Sequence, residues 1–330
     1  MSYKYIIKRI LYSILVLFLV SLCIYLLVRC LPSDYVDKKY EAQLNQGVVT
    51  QEFIDEMKAI YGLDDNSFFG IIKGYFKWLG NVFQGNLGMS FKYEAPVNTV
   101  IAESMWISFG VSILAFILQY LIAVPLGIKA ATSQYSAFDY GVTVFTVIGI
   151  SLPSFFLGTL LIKFLGQDLG WFSMQGISSY QEIVGIEGVL DVLWHLVLPM
   201  VTVVLVSLGG LMRHTRTNTL EVLNSDYIRT ARAKGLSEKK VIYKHVFRNT
   251  MIPMVTMMAG VLPSLFGGMM ILEEVFALPG IGQKAYVALG DGDIPFIMGY
   301  CMFLAILTVI GTLLTDLAYM LVDPRVKLEK

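Results

Sequence analysis

"SDYIRTARAKGLSEKKVIYKHVFRN", residues 225–249, lies between two long apolar runs and holds seven of the chain's 25 lysines and arginines. They are Arg229, Arg232, Lys234, Lys239, Lys240, Lys244 and Arg248. The stretch reads as two short helices and a bend. Asp226, or Ser225 before it, offers a side-chain oxygen to the first N–H groups of a helix over 227–234, which have no partner within the helix itself. Gly235 follows at the position where helices commonly end in the left-handed conformation. Ser237 caps a second helix over 238–248, Glu238 sits at its positive end, and Asn249 ends it before Pro253. Thr230, Ala231, Ala233 and Gly235 gather small side chains at the bend, where a partner's surface can approach the backbone closely. Lipid attraction alone would account for the charges, but not for the caps, the glycine or the small face. A soluble-looking elbow between apolar runs belongs at one face of a membrane, docked to another protein.

The rest of the chain has the matching composition. It is 56% hydrophobic and 15% charged, with a mean hydropathy of +0.66. Soluble domains are about 45–50% apolar and about 25% charged. The expected fold is an all-α integral membrane bundle. Segments of about 20 apolar residues cross a bilayer, and six qualify: 10–30, 104–128, 141–165, 192–212, 251–272 and 296–321. Pro125, Pro153, Pro199, Pro253 and Pro263 lie in or at the ends of these segments, where neighbouring helices re-satisfy the freed carbonyls. The basic residues set the topology. Lys4, Lys8 and Arg9, then Lys129, nine Lys and Arg over 213–249, and Arg325, Lys327 and Lys330 lie on one side. The alternate loops 166–191 and 273–295 carry only Lys284. Both termini are then cytoplasmic, and the N-terminal apolar run is a retained span, being too long for a signal-peptide core and lacking a cleavage site.

The chain divides into a tail and first span (1–31), an extracytoplasmic helical insertion (32–101), a core of five spans (102–324) with the elbow loop at 213–250, and a cytoplasmic tail (325–330). Within the insertion, "QEFIDEMKAIYGL" reads as an amphipathic helix ended by Gly62, and "FFGIIKGYFKWLGNVF" as a second, aromatic-rich one. They form either a small cap on the outer face or a helix lying on lipid.

Several chemistries are missing. Net charge is zero, which suggests no nucleic-acid partner. Cys23, Cys30 and Cys301 are scattered, without metal-ligand or disulfide spacing. No phosphate-cradling glycine loop, zinc-protease helix or nucleophile elbow occurs. His195, His214 and His245 are far apart. Ionisable residues such as Glu103, Asp139, Lys163, Arg213 and Asp316 lie near span ends, whereas ion-coupled carriers place charges at depth. A secondary carrier and a membrane enzyme are therefore the remote alternatives.

Taken together, "YIRTARAKGLSEKKV" with the following "RN" and "IP" resembles the EAA loop of binding-protein-dependent ABC importer permeases, in the B-type form found in dipeptide, oligopeptide and nickel importers. The resemblance extends to "YGLDD", "WLGNVFQGNLGMSF", "GISLPSFFLG" and "EEVFALPGIGQ", in that order. Arg229 and Thr230 stand where the generic pattern has Glu and Ala, and Asn86 where the family often has Asp. The resemblance implies that Asp226, Arg229, Thr230, Ala231, Ala233, Lys234, Gly235, Leu236 and Ser237 form a coupling helix seated on an ATPase subunit. It implies two such cytoplasmic ATP-binding subunits, which hold the ATP and Mg; none is bound by this chain. A second homologous permease, an extracytoplasmic solute-binding protein and membrane lipid complete the partners. The setting is the plasma membrane of a prokaryote. The solute is a peptide, with nickel or a nickel chelate as the alternative. "EEVFALPGIGQ" also reads without the resemblance: Pro279, Gly280 and Gly282 force turns, Phe276 and Ile281 are apolar, and Glu273 and Glu274 are placed to meet a binding protein or a cationic solute at the outer mouth.

Overall fold

The computed structural model describes residues 3–30, 35–61, 63, 65–180, 185–257, 261–267 and 269–322. The secondary structure is helical, with one isolated antiparallel bridge, Met89 to Pro96, among the described residues. In chain order the helices are α1 (Tyr3–Arg29), α2 (Tyr35–Asn45), α3 (Gln51–Tyr61), α4 (Phe68–Phe83), α5 (Val97–Thr132), α6 (Ala137–Ser151) and α7 (Ser154–Leu161), which runs on as a π turn to Asp168. Then come α8 (Gly185–His195), α9 (Val197–Leu223), α10 (Asp226–Ala233), α11 (Glu238–Lys240, followed by a π turn over Val241–Val246), α12 (Phe247–Met257), α13 (Val261–Gly267), α14 (Met270–Val275), α15 (Ile281–Gly290) and α16 (Ile294–Val322).

Four of these are long and apolar enough to cross a bilayer: α1 from Ile7, α5, α9, and α16 as far as Leu314. The expected continuous span over 141–165 is instead two helices, α6 and α7, bent by 99°. The cause is Pro153. It has no N–H to donate, and it drives Leu152 before it to an extended φ of −89° and ψ of 125°. Counted as one span, the bent pair makes a fifth. The segment 251–272 falls on α12, α13 and α14, with 258–260 and 268 outside the described residues. Gly62 and the C-terminal Arg325, Lys327 and Lys330 also lie outside them.

The chain forms two compact units. One comprises Met1–Trp106, Lys284–Ile310 and Leu328–Lys330. Its core joins α1 to α4 through Tyr25, Tyr75 and Met298, and α2 to α3 through Val36, Ile54, Leu63 and Phe91. Asp293, buried at the start of α16, ties down residues 90–92. Its carboxylate accepts from Ser90 Oγ (2.5 Å), Lys92 N (3.0 Å) and Phe296 N (3.2 Å).

The other unit comprises Ile107–Gln283 and Gly311–Lys327. Its core is built around α9, with Leu198, Val204, Leu208, Leu211 and Met212 packed against Val111, Ala115, Met254, Leu272 and Phe276. Buried Asp139 on α6 accepts two bonds from the Arg216 guanidinium on α9, at 2.5 and 2.9 Å, and a third from Tyr135 N at 3.0 Å. Removing one partner of a buried pair leaves the other charge uncompensated, which costs about 3–5 kcal/mol when burial is complete. The Arg216 side chain is 25% exposed, so Arg216→Met is expected to cost about 1–3 kcal/mol. Adding Asp139→Asn should recover part of that loss. Equilibrium unfolding of the three variants in mixed micelles checks this, and strict additivity would refute the pairing.

Candidate functional site

The elbow is built on a helix that does not stop where the apolar run stops. α9 continues through Arg213 to Leu223, so the first third of the expected 213–250 loop is helical. Ser225 stands at the N-cap of α10 with an extended ψ of 150°, but its Oγ donates back to the Val222 carbonyl at 2.5 Å instead of capping. Asp226 is the first helical residue and pairs with Arg229 at 3.6 Å on the surface.

The bend at the end of α10 is a complete Schellman turn. Gly235, at φ +75°, donates to Arg232 O at 2.9 Å, and Leu236 N reaches Ala231 O at 3.4 Å. Two otherwise orphaned carbonyls are thus satisfied by one left-handed residue. The accompanying apolar contact is present, since Leu236 packs on a cluster of Ile228, Ala231, Val241 and Val246. Ser237 occupies the next N-cap position without a side-chain bond. Glu238 reaches back to Arg232, at 2.6 and 3.2 Å, closing the elbow from outside. Those hydrogen bonds hold the Glu238 carboxyl below its ordinary range. The small stabilisation from this exposed pair is present at neutral pH and lost only as pH falls through the lowered value.

Asn249 does not end the second helix. The chain passes from α11 through the π turn into α12 and on to Met257, with Pro253 inside it. The π turn re-registers the backbone ladder, and Asn249 Nδ2 donates to the His245 carbonyl at 2.7 Å from within the helix.

The predicted coupling residues divide between two faces. Asp226, Arg229, Thr230 and Ala233 recur at i, i+3, i+4 and i+7, so they share one stripe, and all four are exposed. Lys234, Gly235 and Ser237 are exposed beside them, and Leu236 is half-buried. Ala231 turns inward and is buried with Ile228. Its small size serves the packing of the elbow on itself. The outward stripe is short-chained at its centre and charged at its edge, which suits a polar groove better than acyl chains.

"EEVFALPGIGQ" folds into a knot around one carboxylate. Glu273 is 1% exposed. Its Oε1 accepts from Met269 N at 3.0 Å and its Oε2 from Gln283 N at 3.1 Å. Gly280 lies against the carboxylate and Ser108 Oγ, and Gly282 against the Met270 backbone and the carboxylate. A Cβ would stand 2.3 Å from Oε2 at Gly280 and 2.9 Å from it at Gly282. Ile281 N donates to Ser108 Oγ at 2.9 Å, and Phe276 is buried. Ala277, at φ +50°, completes a second Schellman turn, with Leu278 N on Glu273 O at 2.8 Å and Ala277 N on Glu274 O at 3.1 Å. Pro279 follows it, half-buried like Glu274. Glu273 is therefore committed to two backbone amides and is not presented to a partner. Of the acid pair, only Glu274 has an oxygen, Oε2, without a hydrogen-bond partner among the described residues.

A cavity of about 500 Å³ opens in the same unit between α5, α9, α12 and α13. Ser112, Gln119, Tyr120, Ser207 and Ser264 supply its polar atoms, against Phe116, Leu211, Met257 and Leu265. Gln119 Nε2 donates to Ser207 O at 3.2 Å, and the buried Ser112 Oγ has no hydrogen-bond partner among the described residues. Apart from Tyr120 and His214, no lining residue carries an ionisable side chain.

One cluster has no counterpart in the sequence reading, which separates the three histidines. Ser179 Oγ lies 3.4 Å from His195 Nε2, and Asp191 accepts from Ser178 Oγ and Ser179 N, both at 2.7 Å. The residue types are those of a nucleophilic triad, but the geometry is that of a latch. His195 Nδ1 sits 2.8 Å from the Asp191 backbone carbonyl and 3.5 Å from its carboxylate. The carboxylate is used to hold residues 178 and 179 against α8. Those bonds, from Ser178 first, keep the Asp191 carboxyl below its usual value. The i, i+4 spacing of Asp191 and His195 is the only trace of this latch in the sequence.

The long apolar helices and the bent pair define a multi-pass helical membrane protein with a polar elbow between its apolar segments. Comparison with known proteins agrees. Residues 123–328 match the family described as binding-protein-dependent transport system inner membrane component, and the chain belongs to that family. It is 35% identical to the oligopeptide transport system permease protein AppB of Bacillus subtilis strain 168, over 98% of this chain and 99% of that one. It is 31% identical to the dipeptide transport system permease protein DppB of Lactococcus lactis subsp. cremoris strain MG1363, again over 98% and 99%. Among solved structures, an inward-facing form of the MetNI methionine ABC transporter aligns with a TM-score of 0.53 at 17% identity, covering 68% of this chain and 96% of the matched one. At that identity the likeness concerns the fold.

Proposed function

We propose that this chain is a transmembrane permease subunit of an ATP-driven importer that carries peptides from an extracytoplasmic binding protein into the cytoplasm of a prokaryote. The observation that carries the reading is the elbow. A Schellman turn at Gly235 sets α10 as a rigid, outward-facing polar stripe at the end of the α9 membrane helix. The sequence carries no phosphate-binding loop, so two ATP-binding subunits supply ATP, Mg and hydrolysis, and the stripe is where they press.

Force delivered there has a physical route. α10 packs on Val241 and Val246 at the head of α12. α12 in turn meets α9 at Thr219 and Thr250, whose hydroxyls lie 3.4 Å apart, and at Thr215 against Met254. A push on α10 therefore moves α9 and α12 as one body. These two helices line the cavity at Ser207, Gly210 and Met257, which supports reading its neutral polar wall as part of the solute path. Six spans with both termini cytoplasmic, a second homologous permease as heterodimeric partner and residence in the plasma membrane complete the proposal. Peptide is preferred over nickel because the relatives are named for oligopeptides and dipeptides.

The test is paired uptake in a strain lacking this chain, with and without its restoration. Labelled short peptides and labelled nickel are followed in parallel, before and after ATP depletion. Restored, ATP-dependent peptide uptake is the expected result. Restored nickel uptake alone would keep the permease and replace its solute. Restoration of neither would overturn the proposal.

A further inference from the structure

α4 has three sides. At 3.6 residues per turn, Gly70, Ile71, Gly74, Tyr75 and Trp78 fall on one of them. This side packs on α1, with Gly70, Gly74 and Tyr75 buried. Tyr75 Oη lies 2.8 Å from the Ser21 hydroxyl, and the Tyr75 and Trp78 rings stand 5.7 and 5.9 Å from the Tyr25 ring. Phe68, Phe69, Ile72, Phe76 and Phe83 fall on the second side, and every one is exposed, Phe69 to 80% and Phe83 to 83%. Lys73 and Lys77 form the third, narrow side, next to the aromatic one.

The position of α4 along α1 gives this pattern its meaning. α1 is a membrane span whose own surface is exposed and apolar, at Leu11, Ile14, Leu15, Leu19, Leu26 and Leu27. Ser21 and Tyr25 lie eight and four residues before Arg29, or about 6–12 Å from that end of the helix. The Arg29 guanidinium in turn bonds the Asp65 carbonyl just ahead of α4. The aromatic side thus continues the apolar surface of α1 at the depth where interfacial helices bury an apolar face, about 5–10 Å into the headgroup–acyl boundary. A docking face for a soluble partner must stay wetted when the partner leaves, and such faces are no more apolar than ordinary surface. Five large apolar side chains in one strip do not meet that condition. The lysines match the boundary. Lys77 Nζ donates to the Ala59 carbonyl at 2.6 Å, and the exposed Lys73 is placed to extend toward lipid phosphate.

From this geometry we infer that α4 is a membrane-interfacial helix, with Phe69, Phe76 and Phe83 seated among phospholipid acyl chains and its opposite side holding α1. The insertion between the first two spans is then anchored in the bilayer surface.

The test uses the full chain in vesicles of phosphatidylethanolamine and phosphatidylglycerol. Cys23, Cys30 and Cys301 are replaced by alanine, and single nitroxides are placed at Phe69, Phe76 or Phe83. Leu27 serves as the lipid reference and Glu56 as the water reference. The expected ratio of oxygen to nickel-chelate collision at the three positions is severalfold above that at Glu56 and close to that at Leu27. A ratio like that at Glu56, or low accessibility to both reagents as under a protein partner, would overturn the inference. The unmodified chain gives a second readout. A photoactivated carbene probe confined to the lipid should label Phe69, Phe76 and Phe83 as it labels α1, and labelling of α1 without α4 would refute the seating.

Discussion

Glu273→Ala is expected to lower the unfolding free energy of the solubilised protein by about 2–6 kcal/mol, because it leaves two buried donors without an acceptor, at about 1–3 kcal/mol each. The donors left behind, Met269 N and Gln283 N, are backbone groups that no rotamer change can redirect to water. The two glycines supply a second arm. In the parent, Gly280→Ala forces a methyl to 2.3 Å from the Glu273 carboxylate and 2.4 Å from Ser108 Oγ. Once the carboxylate is gone the closest of these obstructions is removed and the Ser108 hydroxyl remains, so the two substitutions together should cost less than the sum of their separate costs. Equilibrium unfolding in mixed micelles measures both. A Glu273→Ala protein as stable as the parent would show that the carboxylate does not organise the knot and would return Glu273 to the candidates for solute or partner contact.

Gly235→Val is expected to leave the chain inserted in the membrane at normal abundance while abolishing most transport. Apart from its chain neighbours, no atom lies within 4 Å of the position a Cβ would take at Gly235, so the Cβ itself meets no clash. It meets the backbone instead. At φ +75° a β-branched residue is strained by about 1–3 kcal/mol. The chain can relieve this only by leaving the left-handed region, which breaks the Gly235–Arg232 and Leu236–Ala231 bonds together. Each 1.4 kcal/mol is a tenfold loss in the population of the native bend, and with the bend goes the aim of the Asp226, Arg229, Thr230 and Ala233 stripe. Gly235→Asn, which tolerates the left-handed region, should keep most uptake. Peptide uptake normalised to membrane abundance checks all three proteins. Normal transport by Gly235→Val would show that the turn does not carry the coupling.

What the two readings share follows from the range of the interactions. α4 is legible from 68 to 83 because an aromatic-rich run is local information; the cap, Ser67 Oγ accepting from Gly70 N at 3.1 Å, is seen in the structure. The left-handed bend at Gly235 is legible for the same reason. Pro153 was visible too, but whether a proline kinks a span or turns it through 99° depends on what its two halves pack against. Asn249 looked like a stop signal, and the π turn before it carried the helix through. Asp139 and Arg216 are 77 positions apart, and nothing in either neighbourhood announces the pair.

By itself, then, the sequence determined the solvent this chain folds in, the apolar runs that become α1, α5, α9 and α16, the elbow after α9 and, through motif order, its family. Hydropathy, capping and glycine conformation act within a few residues and need no partner. Only the tertiary structure decided that Ala231 faces in while Ala233 faces out, that Glu273 is buried on two amides rather than offered at a mouth, and that Ser179, Asp191 and His195 form a latch. A carboxylate's role is set by which donors reach it. Met269 N is local to Glu273, but Gln283 N and, for Asp191, Ser178 and Ser179 arrive from other segments, brought in by packing that no local pattern encodes.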